Sequence, residues 1–94
     1  MRFKKYINEF TDQIIWFSGE GSSFQDAVKI FGVTSTVQGI EMEKRFIGQQ
    51  YSDWHFCLQE LVIKNNRAYD VITIRLPDYS LRKVYFDITE FYGK

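Results

Sequence analysis

The 94-residue chain is long enough for one compact domain and too short for two. Its twelve acidic and twelve basic residues cancel locally as well as globally: three against three in residues 1–20, three against three in 21–50, six against six in 51–94. With 18% aromatics, one proline and no apolar run near the ~20 residues of a membrane span, the sequence excludes a disordered tail, a low-complexity chain, a membrane helix and a basic nucleic-acid module.

At the N-terminus, Phe3, Tyr6, Ile7, Phe10, Ile14 and Phe17 fall at helical spacing, with Arg2, Lys4, Lys5, Asn8, Glu9, Asp12 and Gln13 on the other side. The pattern predicts an amphipathic helix of about fifteen residues. The β-prone run Ile14-Ile15-Trp16-Phe17 marks where it would end. Ser18 to Ser23 reads as a loop, and residues 27–33 as a strand.

Thr34, Ser35 and Thr36 are candidate N-caps of a second helix, in which Val37, Ile40, Lys44, Ile47 and Tyr51 share a face widened by Met42 and Phe46. Gly39 and Gly48 weigh against it, each by about 1 kcal/mol. From Trp54 the period becomes two. A strand to Ile63, an Asn65-Asn66 turn, a strand over 68–76, a Pro77-to-Ser80 turn and a strand from Leu81 to Ile88 make a three-stranded meander. Residues 89–94 form a short tail with room for one helical turn.

The expected fold is a single α+β domain over residues 1–94. Two helices pack on a mainly antiparallel sheet of about four strands, in the order α-β-α-β-β-β. The register of the first hairpin is the open physical question. A two-residue turn at Asn65-Asn66 pairs Cys57 with Ile74 and puts Trp54, Phe56 and Leu58 on the face of Tyr69, Val71 and Thr73. A bulge instead brings Phe56 and Leu58 to Ile72 and Ile74. The apolar character of Tyr69, Val71 and Tyr85 favours the first, which leaves a second sheet face in need of cover.

Few residues propose chemistry. Gly19-Glu20-Gly21-Ser22-Ser23 lacks the lysine of a phosphate loop and the third glycine of a dinucleotide fingerprint, and Glu20 would repel phosphate. Asp53, His55 and Cys57 recur every second residue along one strand, which allows an Asp–His pair beside a thiol but supplies no oxyanion hole. Glu60, Asp70 and Asp87 lie on three successive strands. A loop closed between Leu76 and Leu81 would set Asp70 opposite Asp87, where one pKa would rise and a cation or an acid–base role would become available. These two groups make a small-ligand protein or minor enzyme the alternative reading.

The leading expectation is a non-enzymatic interaction or assembly domain, a homodimer or the partner of another protein, acting through a sheet face that carries Trp54, Phe56, Tyr69, Val71 and Tyr85. Tyr79, Arg82, Lys83, Tyr85 and Phe86 interleave cations and aromatics as single-strand binders do, but Asp78, Asp87 and Glu90 cancel the charge. Neither nucleic acid nor membrane is expected as a partner, and no metal or cofactor is implied. The single cysteine precludes an internal disulfide and, with no signal-peptide pattern, suggests the cytoplasm.

Overall fold

Ile15 and Phe17 are buried while Ile14 and Trp16 stand 44% and 41% exposed, so the inside–outside period of this segment is two and it forms a strand. The computed structural model describes residues 13–94 in full and residues 3–8 as backbone. In it, β1 (Phe3–Asn8) pairs antiparallel with β2 (Gln13–Ser18), from Phe3 opposite Ser18 to Asn8 opposite Gln13. The helix expected over residues 3–17 is thus replaced by two paired strands, and its residues 9–12 lie outside the described residues. The misreading has a physical source. A strand with apolar side chains on both faces presents enough of them to satisfy a helical spacing, and the β-branched and aromatic run at 14–17 decides for the sheet.

The remaining elements are β3 (Val28–Phe31), α1 (Thr36–Gln50), β4 (His55–Lys64), β5 (Arg67–Arg75) and β6 (Leu81–Asp87). The six strands form one mixed sheet in the order β1-β2-β3-β6-β5-β4. Among the described residues the fold is therefore α+β with one helix on a six-stranded sheet, in place of two helices on four strands. All neighbours are antiparallel except β3 and β6, which run parallel with Val28 opposite Phe86 and Lys29 opposite Asp87. The C-terminal meander is as the sequence predicts. At its first turn Asn65 and Asn66 adopt left-handed φ values of 52° and 63°, which asparagine tolerates better than most residues.

The helix begins where the caps predict: the Ser35 side chain accepts a hydrogen bond from the Gln38 backbone N–H. Its inward stripe is Gly39, Met42, Glu43, Phe46 and Ile47. These meet Ile15, Phe17, Val28, Ile30, Ile72, Ile74, Val84 and Phe86 from the sheet, with Ile88 and Phe91 closing one end. Phe46 sits between Phe17 and Phe86, with ring centroids 5.5 and 5.7 Å away. Among the described residues, no helix is long and apolar enough to cross a membrane.

The hairpin register is split. From Lys64 opposite Arg67 to Leu58 opposite Thr73 the strands follow the two-residue turn, then the register shifts at Cys57 and Phe56 lies opposite Ile74. Leu58 therefore shares the face of Tyr69 and Val71, while Phe56 shares that of the helix. The second face has a cover of its own between β2 and β3. Phe24 packs edge-on against Tyr69 and Tyr85 at centroid distances of 5.0 and 4.9 Å, and the Lys64 ammonium lies 4.5 Å from the Phe24 ring centre. The segment is held by Asp26, whose carboxylate accepts from Glu20 N–H and the Ser22 hydroxyl, and by Tyr85 N–H donating to the Gly21 carbonyl. The glycine-serine stretch is thus a folded cover.

Gly39 has a packing reason to be in the helix. A Cβ there would lie 2.1 Å from the Phe91 ring, which is itself 1% exposed. Around it, Thr36 N–H donates to the Lys94 carbonyl, the Thr36 hydroxyl donates to the Phe91 carbonyl, and Gly93 N–H donates to the Thr36 hydroxyl. Gly39→Ala gains about 1 kcal/mol of helix propensity but displaces Phe91, and overpacking of this kind costs about 1–3 kcal/mol. Urea denaturation should show a less stable variant; a more stable one would mean that the Phe91 contact is not fixed.

Candidate functional site

The residues singled out by sequence do not gather as expected. Asp53 precedes β4 with a left-handed φ of 51°, and with His55 it borders a shallow hollow completed by Arg75, Leu76, Pro77 and Tyr79. No hydrogen bond joins Asp53 to His55 among the described residues. Cys57 is the bulge residue; its thiol is exposed and 3.8 Å from the His55 carbonyl oxygen. The bulge breaks the alternation that would have kept all three side chains in line.

The three carboxylates are separated as well. Tyr69 faces Asp87 across the β5–β6 pair and Asp70 faces Phe86, one residue away from the pairing that would have opposed the two acids. With a period of two, that single step puts Asp70 on the helix face and Asp87 on the other. Asp87 is paired there with Arg67, whose Nε donates at 2.7 Å, and it also accepts from the Thr89 hydroxyl and backbone N–H. Burial opposes its charge, but the Arg67 and Thr89 contacts outweigh burial and hold its pKa below the usual carboxylate range. Glu60 is exposed on edge strand β4. Of the aromatic set, Tyr69 and Val71 are buried and Tyr85 half-buried beneath Phe24, whereas Trp54 and Phe56 border the helix side. Those five residues therefore do not form one surface.

A different pair comes together beneath the helix. Glu43, on the inward stripe of α1, is 1% exposed, and among the described residues no group donates a hydrogen bond to either of its carboxyl oxygens. Asp70 approaches it from β5, itself 4% exposed, and accepts a 2.6 Å hydrogen bond from the Gln59 side chain on β4. Burial pushes the Glu43 pKa from 4.5 to about 10; a hydrogen bond to Asp70 and the Asp70 charge add to the rise, while Lys44 opposes it. At neutral pH Glu43 is a neutral acid whose proton is shared with the Asp70 carboxylate, and no other group donates to its oxygens among the described residues.

Two hollows meet at this group. One, of about 430 Å³, is lined by Ile40, Glu43, Lys44, Ile47, Trp54, Phe56, Gln59 and Ile72. The smaller, of about 180 Å³, shares Ile40, Glu43 and Gln59 with it and adds Asp70, Leu61 and Tyr92 among its walls. The larger falls within the usual range of small-molecule sites, mostly apolar with a few convergent polar groups. Among the described residues, no cluster of three or more His, Cys, Asp or Glu side chains is placed to hold a metal ion.

Sequence reading passed over Glu43 and Gln59. The signal for Glu43 was present: residues 39, 42, 43, 46 and 47 follow the spacing i, i+3, i+4, i+7, i+8, so an acid stands in the middle of an otherwise apolar stripe. Gln59 falls opposite Ile72 in the two-residue-turn register, but nothing local marks it as the partner of Asp70. Comparison with protein-family models, with curated proteins and with solved structures finds no match.

The raised pKa of Glu43 fixes a sign for pH dependence. The folded chain keeps a proton that the unfolded chain releases above pH 4.5, so this group's contribution to stability falls as pH rises from 4.5 toward 10. The slope is about 1.4 kcal/mol per pH unit. Glu43→Gln keeps the shape and removes the titration. Thermal melts from about pH 5 to about pH 9 should show a falling Tm in the wild type and a flatter profile in the variant. Parallel profiles would show that the carboxyl is not buried.

Proposed function

We propose that this protein is a non-enzymatic assembly module that binds a second copy of itself along β4. The observation that carries this reading is the edge itself. β4 is ten residues long and, among the described residues, pairs only with β5, so that one row of its backbone N–H and C=O groups has no strand neighbour there. Phe56, Leu58, Leu61 and Ile63 on it are 50–62% exposed. A long apolar edge is a template for pairing with another strand, and proteins that stay monomeric shield such edges.

Self-pairing also has a favoured register. In an antiparallel pair whose two-fold axis passes through Val62, residue numbers of opposed residues sum to 124. Glu60 then faces the partner's Lys64, Leu61 faces the partner's Ile63, and Val62 faces itself. Each opposition is of complementary charge or of apolar matter, and such pairs contribute about 0.2–1 kcal/mol apiece. Shifting the axis to Glu60 would oppose the two glutamates. The same two-fold keeps both helices on one side of a continuous twelve-stranded sheet, twice the six of one copy. The bulge at Cys57 limits regular pairing to the half of β4 that follows it. The exposed, unpaired Cys57 thiol suits a reducing compartment, and we assign the protein to the cytoplasm.

Sedimentation at ~100 μM should find a dimer, since a weaker association would be of no use at cellular concentrations. Glu60→Lys should weaken it by about tenfold, and adding Lys64→Glu should restore it, because the swap rebuilds the cross-strand pair. Leu61→Lys should give a folded monomer whose Tm, unlike that of the wild type, does not depend on protein concentration. A monomeric wild type, or a double variant no better than Glu60→Lys alone, would refute pairing in this register.

A further inference from the structure

The hollows beside Glu43 combine an apolar lining with an excess of hydrogen-bond acceptors. Glu43 and Asp70 offer four carboxyl oxygens, and the one side-chain donor bonded to them is Gln59 Nε2. Lys44 borders the larger hollow, yet no ion pair joins it to Glu43 among the described residues. Apart from the Glu43 proton shared with Asp70, no group donates to the Glu43 oxygens among the described residues; buried acceptors left without donors cost about 1–3 kcal/mol and mark a place where a donor belongs. Ile40, Ile47, Ile72, Trp54 and Phe56 provide walls for something apolar attached to that donor.

We propose that the hollow between α1 and β4–β5 binds a hydrophobic primary amine, its ammonium held at Glu43 and Asp70 and its apolar body against Trp54, Phe56 and Ile40. Two features favour an ammonium over other groups. It carries three donors, enough to serve both carboxyls, whereas an alcohol carries one. Its charge is opposite to that of Asp70, which would repel a carboxylate or phosphate. A calcium ion needs six to eight oxygen ligands, more than this site contributes.

Binding couples to a proton. The amine enters as its ammonium, Glu43 releases its proton to solvent, and the carboxylate so formed pairs with the ammonium. One proton leaves per amine bound. The titratable groups that face Glu43 are Lys44 on its own helix, Asp70 on β5 and Tyr92 after β6. Amine affinity therefore rises with pH across the neutral range. This inference is independent of pairing along β4.

The test uses 2-phenylethylamine with 2-phenylethanol as its neutral counterpart, titrated calorimetrically into the wild-type chain. Saturable amine binding below about 1 mM is expected, with the alcohol about tenfold weaker or more. Glu43→Gln and Asp70→Asn should each weaken the amine by about tenfold and leave the alcohol unchanged. In the wild type alone, titration in two buffers of different ionisation enthalpy should show close to one proton released at neutral pH. Equal binding of amine and alcohol, no proton release, or no saturation by about 10 mM amine would overturn the proposal.

Discussion

Phe46 wedged between Phe17 and Phe86 is the contact on which the architecture turns. It fixes one helix over the middle of the sheet, across β2 and β6, and removing a ring of this kind from a core typically costs about 3–5 kcal/mol. The geometry of that arrangement is unforgiving. Six strands at about 4.8 Å spacing span roughly 24 Å between their outermost axes, and a helix with its side chains is about 10 Å wide. One helix can cover the centre of such a sheet and no more. The exposed Phe56, Leu61 and Ile63 of β4 and the hollow beside Trp54 all follow from that shortfall. They are the parts of the helix-side surface that α1 does not reach.

The second face solves the same problem by other means. Among the described residues no helix lies on it, and the segment between β2 and β3 lays Phe24 over Tyr69 and Tyr85 while Lys64 closes over Phe24. An aromatic side chain in a short loop is an economical cover because it buries a large area at small entropic cost. The aromatic excess of the sequence is therefore spent inside the molecule as much as outside it.

How much of this was legible in the sequence varies by element, for physical reasons. The meander was readable because Asn65-Asn66 and Pro77-to-Ser80 are turns with a mechanism and the strands between them alternate. The helix at 36–50 was readable from Ser35 and its cap, but the face read from Val37, Ile40, Lys44, Ile47 and Tyr51 is turned: Val37 is 80% exposed, and the inward stripe includes Gly39, whose reason lies 52 positions away in Phe91. The N-terminal strands were not, because Ile14 and Trp16 are apolar on the outer face and mimic a helical period. At the site, Asp70 was recognised but assigned the wrong neighbour. Its pairing turned on one residue of loop length, and Glu43, its true companion, comes from an element whose packing angle no local pattern specifies. The two registers of β4 could each be written down from sequence, but only the position of the bulge joined them.

The parallel contact between β3 and β6 has a consequence for how the molecule is made. It is the one strand pair joining the N-terminal three strands to the C-terminal three, and Leu81 follows Phe31 by 50 positions. During synthesis, the inner sides of Ile15, Phe17, Val28 and Ile30 have no lasting cover until β6 has left the ribosome, since the helix that lies over them also packs on Val84 and Phe86. Closing so distant a contact is slow, and the waiting half exposes a strand edge as well as an apolar face. The chain thus passes through its most adhesive state before its last strand arrives, and neighbouring chains on one message are the nearest surfaces it can meet.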